Sequence, residues 1–163
     1  MSFSYQRIPP IEDEGSFQVR ALAQADIERV LDIERQGYSH PWSEGIFLDC
    51  FKENYRLWAL CLGDCLIGYA VVAYLVDEAH LLNLCVHPGS RGGGAGRCLL
   101  EHLIEQAGED GMSQVLLEVR VSNLAAGKLY ASAGFREIGR RPGYYPAADG
   151  REDARVMSLA LDK

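Results

Sequence analysis

Apolar positions along the 163-residue chain change period several times, and each change marks an element. Ile27, Val30 and Leu31, with Glu34 on the same stripe, recur at helical spacing behind an Ala25-Asp26 start. His40-Pro41-Trp42-Ser43 ends that helix, and Ser43 is placed to cap a short second one carrying Ile46, Phe47, Cys50 and Phe51. The period then shortens. Arg56–Leu62 and Cys65–Val76 are apolar and rich in β-branched or aromatic residues, joined by the tight-turn pair Gly63-Asp64. Ala79–His87 predicts a third strand, closed by Pro88-Gly89. After a glycine run, Leu99, Leu100, Leu103, Ile104 and Ala107 restore the helical period until Gly111. Gln114–Val121 alternates, with Val115, Leu117, Val119 and Val121 on one face. Asn123 caps a predicted helix over Leu124–Ala133, ended by Gly134. Phe135–Gly139 and Arg155–Leu161 predict two last strands around a Gly/Pro-rich loop, Pro142–Gly150. The order is α, a β meander, then β-α-β-α-β-β: one α/β domain with a mixed central sheet flanked by helices. Residues 1–17 form a polar, proline-broken N-terminal tail, and 18–163 the domain.

Composition removes whole classes of function. The hydrophobic share is 48%, too high for a disordered chain. The longest apolar run, Cys65–Val76, falls well short of the roughly 20 residues a bilayer crossing needs. The start, Met-Ser-Phe-Ser-Tyr-Gln-Arg, shows no secretory signal, so a cytoplasmic protein without membrane contact is expected. The five cysteines (Cys50, Cys61, Cys65, Cys85 and Cys98) sit mostly among apolar neighbours and make no zinc spacing; they are expected as reduced packing residues. The four histidines likewise show no metal-ligand spacing.

The formal charge of −7 is unevenly spread. Residues 1–80 hold 6 Lys and Arg against 13 Asp and Glu, whereas 81–163 hold 10 against 10. The overall balance argues against nucleic acid, which demands a basic stripe. It leaves room for a small anionic ligand in the neutral half.

That half contains Arg91-Gly92-Gly93-Gly94-Ala95-Gly96-Arg97 between a strand and an amphipathic helix. Clustered glycines let backbone approach a ligand, and their N–H groups add to the positive end of the helix. A pyrophosphate is the natural guest, with Arg91 and Arg97 able to supply charge-assisted bonds. The dinucleotide fingerprint fails, because Gly94-x-Gly96 is followed at the third place by Leu99, and no Gly-Lys-Ser/Thr follows for a triphosphate loop. Arg-x-x-Gly-x-Gly does fit: it is the acyl-coenzyme-A signature of the GNAT acetyltransferases. A flexible loop that binds nothing is the competing account.

The surrounding residues extend the likeness. Leu84-Cys85-Val86-His87-Pro88 precedes the glycines. Leu117-Glu118-Val119-Arg120-x-Ser122-Asn123, Leu129-Tyr130, Gly134-Phe135, Tyr144-Tyr145-Pro146 and Glu152-Asp153-Ala154-x-x-Met157 follow them. In order and spacing, residues 18–161 resemble the RimI-like N-terminal acetyltransferases of the GNAT superfamily, which act on the N-terminal alanine of a ribosomal protein. Gly92-Gly93 departs from the family, where a basic residue is usual; the pyrophosphate would be gripped more by backbone than by charge.

The resemblance implies a GNAT fold and acetyl-CoA as acetyl donor, with no metal. It implies that Glu118 is the general base and Tyr130 the general acid. On its own terms each residue has a plainer reading: Glu118 as a polar strand position, Tyr130 as core. Chemistry makes the pairing reasonable. About a tenth of an α-amine with pKa near 8 is neutral at pH 7, against under about one in a thousand for lysine. The difference is worth about 3.5 kcal/mol, so a carboxylate acting directly or through a water suffices as base. A departing thiolate benefits from a phenolic proton donor. The resemblance also gives the backbone of Leu84, Cys85 and Val86 to the pantetheine arm, beside a sheet expected to splay open, and adds a cofactor contact to Asn123. Trp42, Tyr144 and Tyr145 become walls for the acceptor, although prolines and aromatics there also fit simple loop anchoring.

The expectation is an enzyme that acetylates a protein N-terminus by direct attack in a ternary complex. The acceptor would be a basic N-terminus, the alanine of a small-subunit ribosomal protein. An acetyltransferase acting on lysine or a small amine keeps the same fold, and a non-catalytic acyl-CoA-binding module keeps the same cofactor.

Overall fold

The computed structural model describes residues 17–162. Seven strands lie in the order β1-β2-β3-β4-β5-β7-β6: β1 Phe17–Ala21, β2 Tyr55–Leu62, β3 Cys65–Leu75, β4 Glu78–Val86, β5 Gln114–Arg120, β6 Arg136–Ala147 and β7 Gly150–Ala160. The helices are α1 Ile27–Gly37, α2 Glu44–Asp49, α3 Ala95–Glu109 and α4 Leu124–Ser132. The β4–β5 pair is parallel and β1–β2, β5–β7 and β6–β7 are antiparallel, so the sheet is mixed, as expected. Among the described residues no helix is long and apolar enough to cross a membrane.

Two compact units share the long strands and α3. Among the described residues, one comprises 17–72 with Asn83–Leu103, the other Ala73–Leu82 with 104–162. In the first, the α1 stripe packs as its period predicts: Ile27, Val30, Leu31 and Ile33 join Phe47, Leu57, Leu66, Tyr69 and Val71 in one buried cluster. Each such aliphatic side chain contributes about 1.5–3 kcal/mol on burial. Ser43 caps α2, its Oγ accepting from Ile46 N–H at 3.3 Å. In the second unit, Val115, Leu117 and Val119 are buried while Glu118 and Arg120 turn to the other face of β5. Helix α3 ends at Gly111, where Met112 N–H bonds Ala107 C=O and Gly111 N–H bonds Gly108 C=O. That pair of bonds needs a left-handed residue, and Gly111 has φ +84°.

Two expectations are corrected. The described residues open not on a helix but on a strand: β1 pairs with β2 from Phe17↔Leu62 to Ala21↔Trp58. Phe17-Gln-Val-Arg-Ala is half exposed at a sheet edge, so tertiary pairing rather than its own pattern makes it a strand. The expected tail lies outside the described residues except for Phe17, which begins β1. The Pro142–Gly150 stretch is not a loop, because β6 runs through it and only Ala148-Asp149 turns the chain into β7. Proline and glycine are tolerated because β6 is an edge strand that bulges there.

Candidate active site

The glycine run lies in the first unit. His87 closes β4 and accepts Gly89 N–H on Nδ1 at 3.0 Å, starting a single turn over Pro88–Ser90. Burial lowers the pKa of this imidazole, in keeping with a neutral ring that accepts. Arg91 then turns back, its Nε donating to Val86 C=O at 3.0 Å. Gly92 and Gly94 hold φ +86° and +87°, with Gly93 outside the left-handed region between them. Alternation of left-handed and other residues is the backbone pattern from which anion nests are built. A Cβ at Gly92 would meet nothing within 4 Å, so glycine serves conformation there rather than space. Gly94 C=O accepts the Cys98 N–H at 3.0 Å, and α3 begins at Ala95 with its first-turn amides pointing back along the axis. Arg97 is partly exposed, 3.8 Å from Glu101.

Upstream, the backbone of Leu84–Val86 is pinned. Tyr38 Oη donates to Leu84 C=O at 2.7 Å. His87 N–H reaches Ile67 C=O at 2.7 Å. A Cβ on Gly68 would sit 3.0 Å from Cys85 C=O, so β3 needs glycine at that approach. The β4–β5 ladder runs from Glu78↔Gln114 to Leu81↔Leu117 and stops, leaving Leu82–Val86 of β4 beyond it. The Cys85 side chain is buried, and burial pushes its thiol pKa up, as suits a packing residue.

A buried acid organises the same unit. Glu34, 1% exposed, accepts Tyr69 Oη at 2.6 Å and Asn83 Nδ2 at 2.9 Å on one oxygen, and Trp42 N–H at 2.9 Å on the other. It ties the Trp42 segment to β3 and β4. The Trp42 ring packs on Phe47, with centroids 5.1 Å apart.

The second unit gathers the other expected residues. Glu118 lies on β5 opposite Val156 and forms an ion pair with Arg141 of β6. Arg141 lies over the Tyr144 ring at 5.3 Å. Arg120, two residues along β5, covers the Tyr145 ring at 4.5 Å and donates to Pro146 C=O and to Glu152. Glu152 also accepts Ser122 N–H at 2.8 Å, and its bonds to Ser122 and Arg120 hold its carboxyl below the usual range. The two tyrosines meet edge to face at 5.0 Å. Between Arg141↔Ala154 and Tyr145↔Glu152, β6 spends three residues against one on β7. Asp153 accepts Gly143 N–H there, and Arg151 donates to the Gly143 and Tyr144 carbonyls. Gly143 has φ +60°, which the bulge requires.

Tyr130 sits on α4, buried against Phe135 at 5.7 Å. Burial, with Tyr145 adding to it, pushes its phenol pKa up to about 12. Asn123 caps α4, accepting Ala126 N–H at 3.1 Å. Burial first, then Glu118, also raises the pKa of Tyr144, and that of Tyr145 reaches about 12.

The model of the acetyltransferase (GNAT) family matches residues 27–135. The chain belongs to the GNAT acetyltransferase family. It is 39% identical over 143 residues to the ribosomal protein bS18-alanine N-acetyltransferase of Escherichia coli K12, covering 88% of this chain and 97% of that one. The Haemophilus ducreyi enzyme of the same name is 39% identical over 144 residues, covering 88% and 99%. The crystal structure of the Escherichia coli ribosomal-protein-S18-alanine N-acetyltransferase superposes with TM-score 0.86 at 38% identity, covering 90% of this chain and 95% of that one.

In this acetyltransferase the expected residues fall into two groups. Leu84–Val86, Arg91–Arg97 and Trp42 belong to the first unit; Glu118, Asn123, Tyr130, Tyr144 and Tyr145 belong to the second. Three residues were not anticipated in roles of their own. Glu34 had a visible signal, a carboxylate on an apolar stripe. Tyr38 and Arg141 had none, because their partners lie 46 and 23 positions away and depend on strand register.

Proposed function

We propose that this chain transfers an acetyl group from acetyl-CoA to the N-terminal α-amine of a protein in the cytoplasm, the acceptor being the alanine N-terminus of a small-subunit ribosomal protein. The observation that carries the reading is 39% identity to a ribosomal-protein-alanine N-acetyltransferase across 88% of the chain. The unit from residue 18 onward is read as the catalytic domain.

The residues present suit coenzyme A. The left-handed glycines at 92 and 94 and the start of α3 form a backbone cradle suited to a pyrophosphate, with Arg97 at its side. Arg91 spends its Nε on Val86 C=O, so its contribution there includes shaping the cradle. Leu84, Cys85 and Val86 offer backbone groups to the pantetheine arm, and Asn123 adds a polar contact. Bound acetyl-CoA supplies the acetyl group as an activated thioester.

Glu118 accepts the proton that the acceptor α-ammonium must lose before its nitrogen can attack. Tyr130 holds its proton on Oη throughout the neutral range, because its pKa is about 12, and delivers it as transfer completes. Trp42, Tyr144 and Tyr145 bound the acceptor, with the Tyr145 ring under the Arg120 guanidinium. Attack is direct; no cysteine takes part.

The test is acetylation of peptides that differ only in their first residues, with the modified nitrogen located by mass spectrometry. Alanine-first peptides modified at the α-amine support the reading. Acetyl found only on lysine side chains overturns it, and binding of acetyl-CoA without turnover marks a non-catalytic module.

A further inference from the structure

The carboxylate read as the base is already occupied by a cation of the protein itself. Arg141 reaches Glu118 from β6, while its side chain is 60% exposed. The other charged or titratable groups gathered about this carboxylate are Arg120 on β5, Tyr144 and Tyr145 on β6, and Glu152 on β7. Arg120 is committed elsewhere, to Glu152 and the Pro146 carbonyl. Arg141 is paired with Glu118 and stacked on Tyr144, without a burial that would hold it in place. An acceptor N-terminus arrives as an ammonium, the same charge in a similar hydrogen-bonding role.

We propose that Arg141 is a placeholder on Glu118: in the free enzyme its guanidinium occupies the carboxylate, and a cationic acceptor N-terminus gains the base by exchanging with it. This rests on the reading of Glu118 as the base. Arg141 touches no reacting atom; it acts through Glu118 as a positioning and specificity residue. The exchange keeps the carboxylate compensated at every stage and places the toll on the incoming acceptor. A neutral molecule cannot replace the lost charge, so it is excluded, whereas an ammonium can. The Tyr144 ring gives the released guanidinium a face to remain on, so it need only swing off the carboxylate.

The experiment compares wild type with Arg141→Gln, Arg141→Lys and Glu118→Gln, using an alanine-first peptide and its α-hydroxy analogue, which cannot carry the charge. An exposed ion pair is worth a factor of about two to five. Arg141→Gln is expected to lower the acceptor KM by about that factor with kcat within twofold. The dissociation constant of the α-hydroxy analogue, measured by calorimetry, should fall by at least as much as that of the amine, because without the guanidinium neither ligand has one to displace. Arg141→Lys, which keeps a cation, should restore the wild-type KM. An unchanged or raised acceptor KM in Arg141→Gln overturns the proposal, as does an α-hydroxy analogue whose dissociation constant does not move. Wild-type turnover by Glu118→Gln overturns the base reading and this proposal with it. If Glu118→Gln is inactive and Arg141→Gln is silent, the placeholder alone falls.

Discussion

Replacing Glu34 by glutamine puts a donor into a site whose partners are themselves all donors. The carboxylate accepts three hydrogen bonds, from Tyr69 Oη, Asn83 Nδ2 and Trp42 N–H, at 2.6–2.9 Å. An amide keeps one oxygen. If that oxygen stays with Tyr69 and Asn83, the new NH2 faces the Trp42 N–H, donor against donor. The reverse flip opposes two donors instead of one. The better orientation leaves buried donors unsatisfied, at a cost of about 1–3 kcal/mol. Removing a desolvated charge returns part of this, because ionised carboxylates are expensive to bury. The bonds lost are the charge-assisted kind, so the loss wins and the net destabilisation is about 2 kcal/mol. In urea, at about 2 kcal/mol per molar, the midpoint falls by about 1 M with an unchanged slope. The acceptor KM should rise more than the acetyl-CoA KM, since it is the Trp42 segment that comes loose. A midpoint within 0.2 M of wild type would falsify the idea that this acid anchors that segment.

Other perturbations test separate parts of the structure. Gly68→Ala places a Cβ 3.0 Å from the Cys85 carbonyl, which is backbone and cannot swing aside, so about 1–3 kcal/mol should be lost in urea unfolding; a neutral result would show that the β3–β4 approach relaxes freely. Tyr130→Phe keeps the packing on Phe135 and removes the proton, so kcat should drop about 10²–10⁴-fold while thermal stability holds; undiminished kcat would remove Tyr130 from catalysis. Burial pushes the Asp26 carboxyl up, but its bonds to Arg20 and Ala23 N–H outweigh burial and hold it below the usual range. Its stabilisation is therefore present above the unfolded value near 3.9 and lost as pH falls below it. The gap in stability between wild type and Asp26→Asn should narrow below about pH 4, and a constant gap would contradict this. The acidic first half predicts that the KM for a basic acceptor peptide rises between 50 and 300 mM salt; a flat response, or equal use of acidic peptides, would count against charge attraction.

What could be read from the residues alone followed their locality. The α1 stripe, the Ser43 and Asn123 caps, the Gly63-Asp64 turn and the β5 alternation depend on neighbours within a few positions, and each stands where its pattern places it. Strand β1 was illegible because its five residues carry little apolar signal and owe their conformation to β2. The Pro142-Gly143 pair is ordinarily a loop signal, and only the Asp153 and Arg151 side chains on the facing strand turn it into a bulge. The site divides in the same way. The glycine cradle is written in consecutive residues, so its chemistry was legible. The pairing of Glu118 with Arg141 was not, because it requires both β5–β7 and β6–β7 registers at once.

The bulge in β6 has a bearing on how such an enzyme can change. Three residues there face one on β7, and the pairing is regular again at Tyr145↔Glu152. A segment held by a facing carboxylate and guanidinium can gain or lose a residue while the rungs on either side stay in phase. The hairpin therefore works as an expansion joint: the distance and tilt between Arg141 and the tyrosine pair can be retuned without shifting the strand that frames Glu118. If the tyrosine pair walls the acceptor as proposed, acceptor preference in this fold can drift through the length of one short segment, while the strand beneath it stays still.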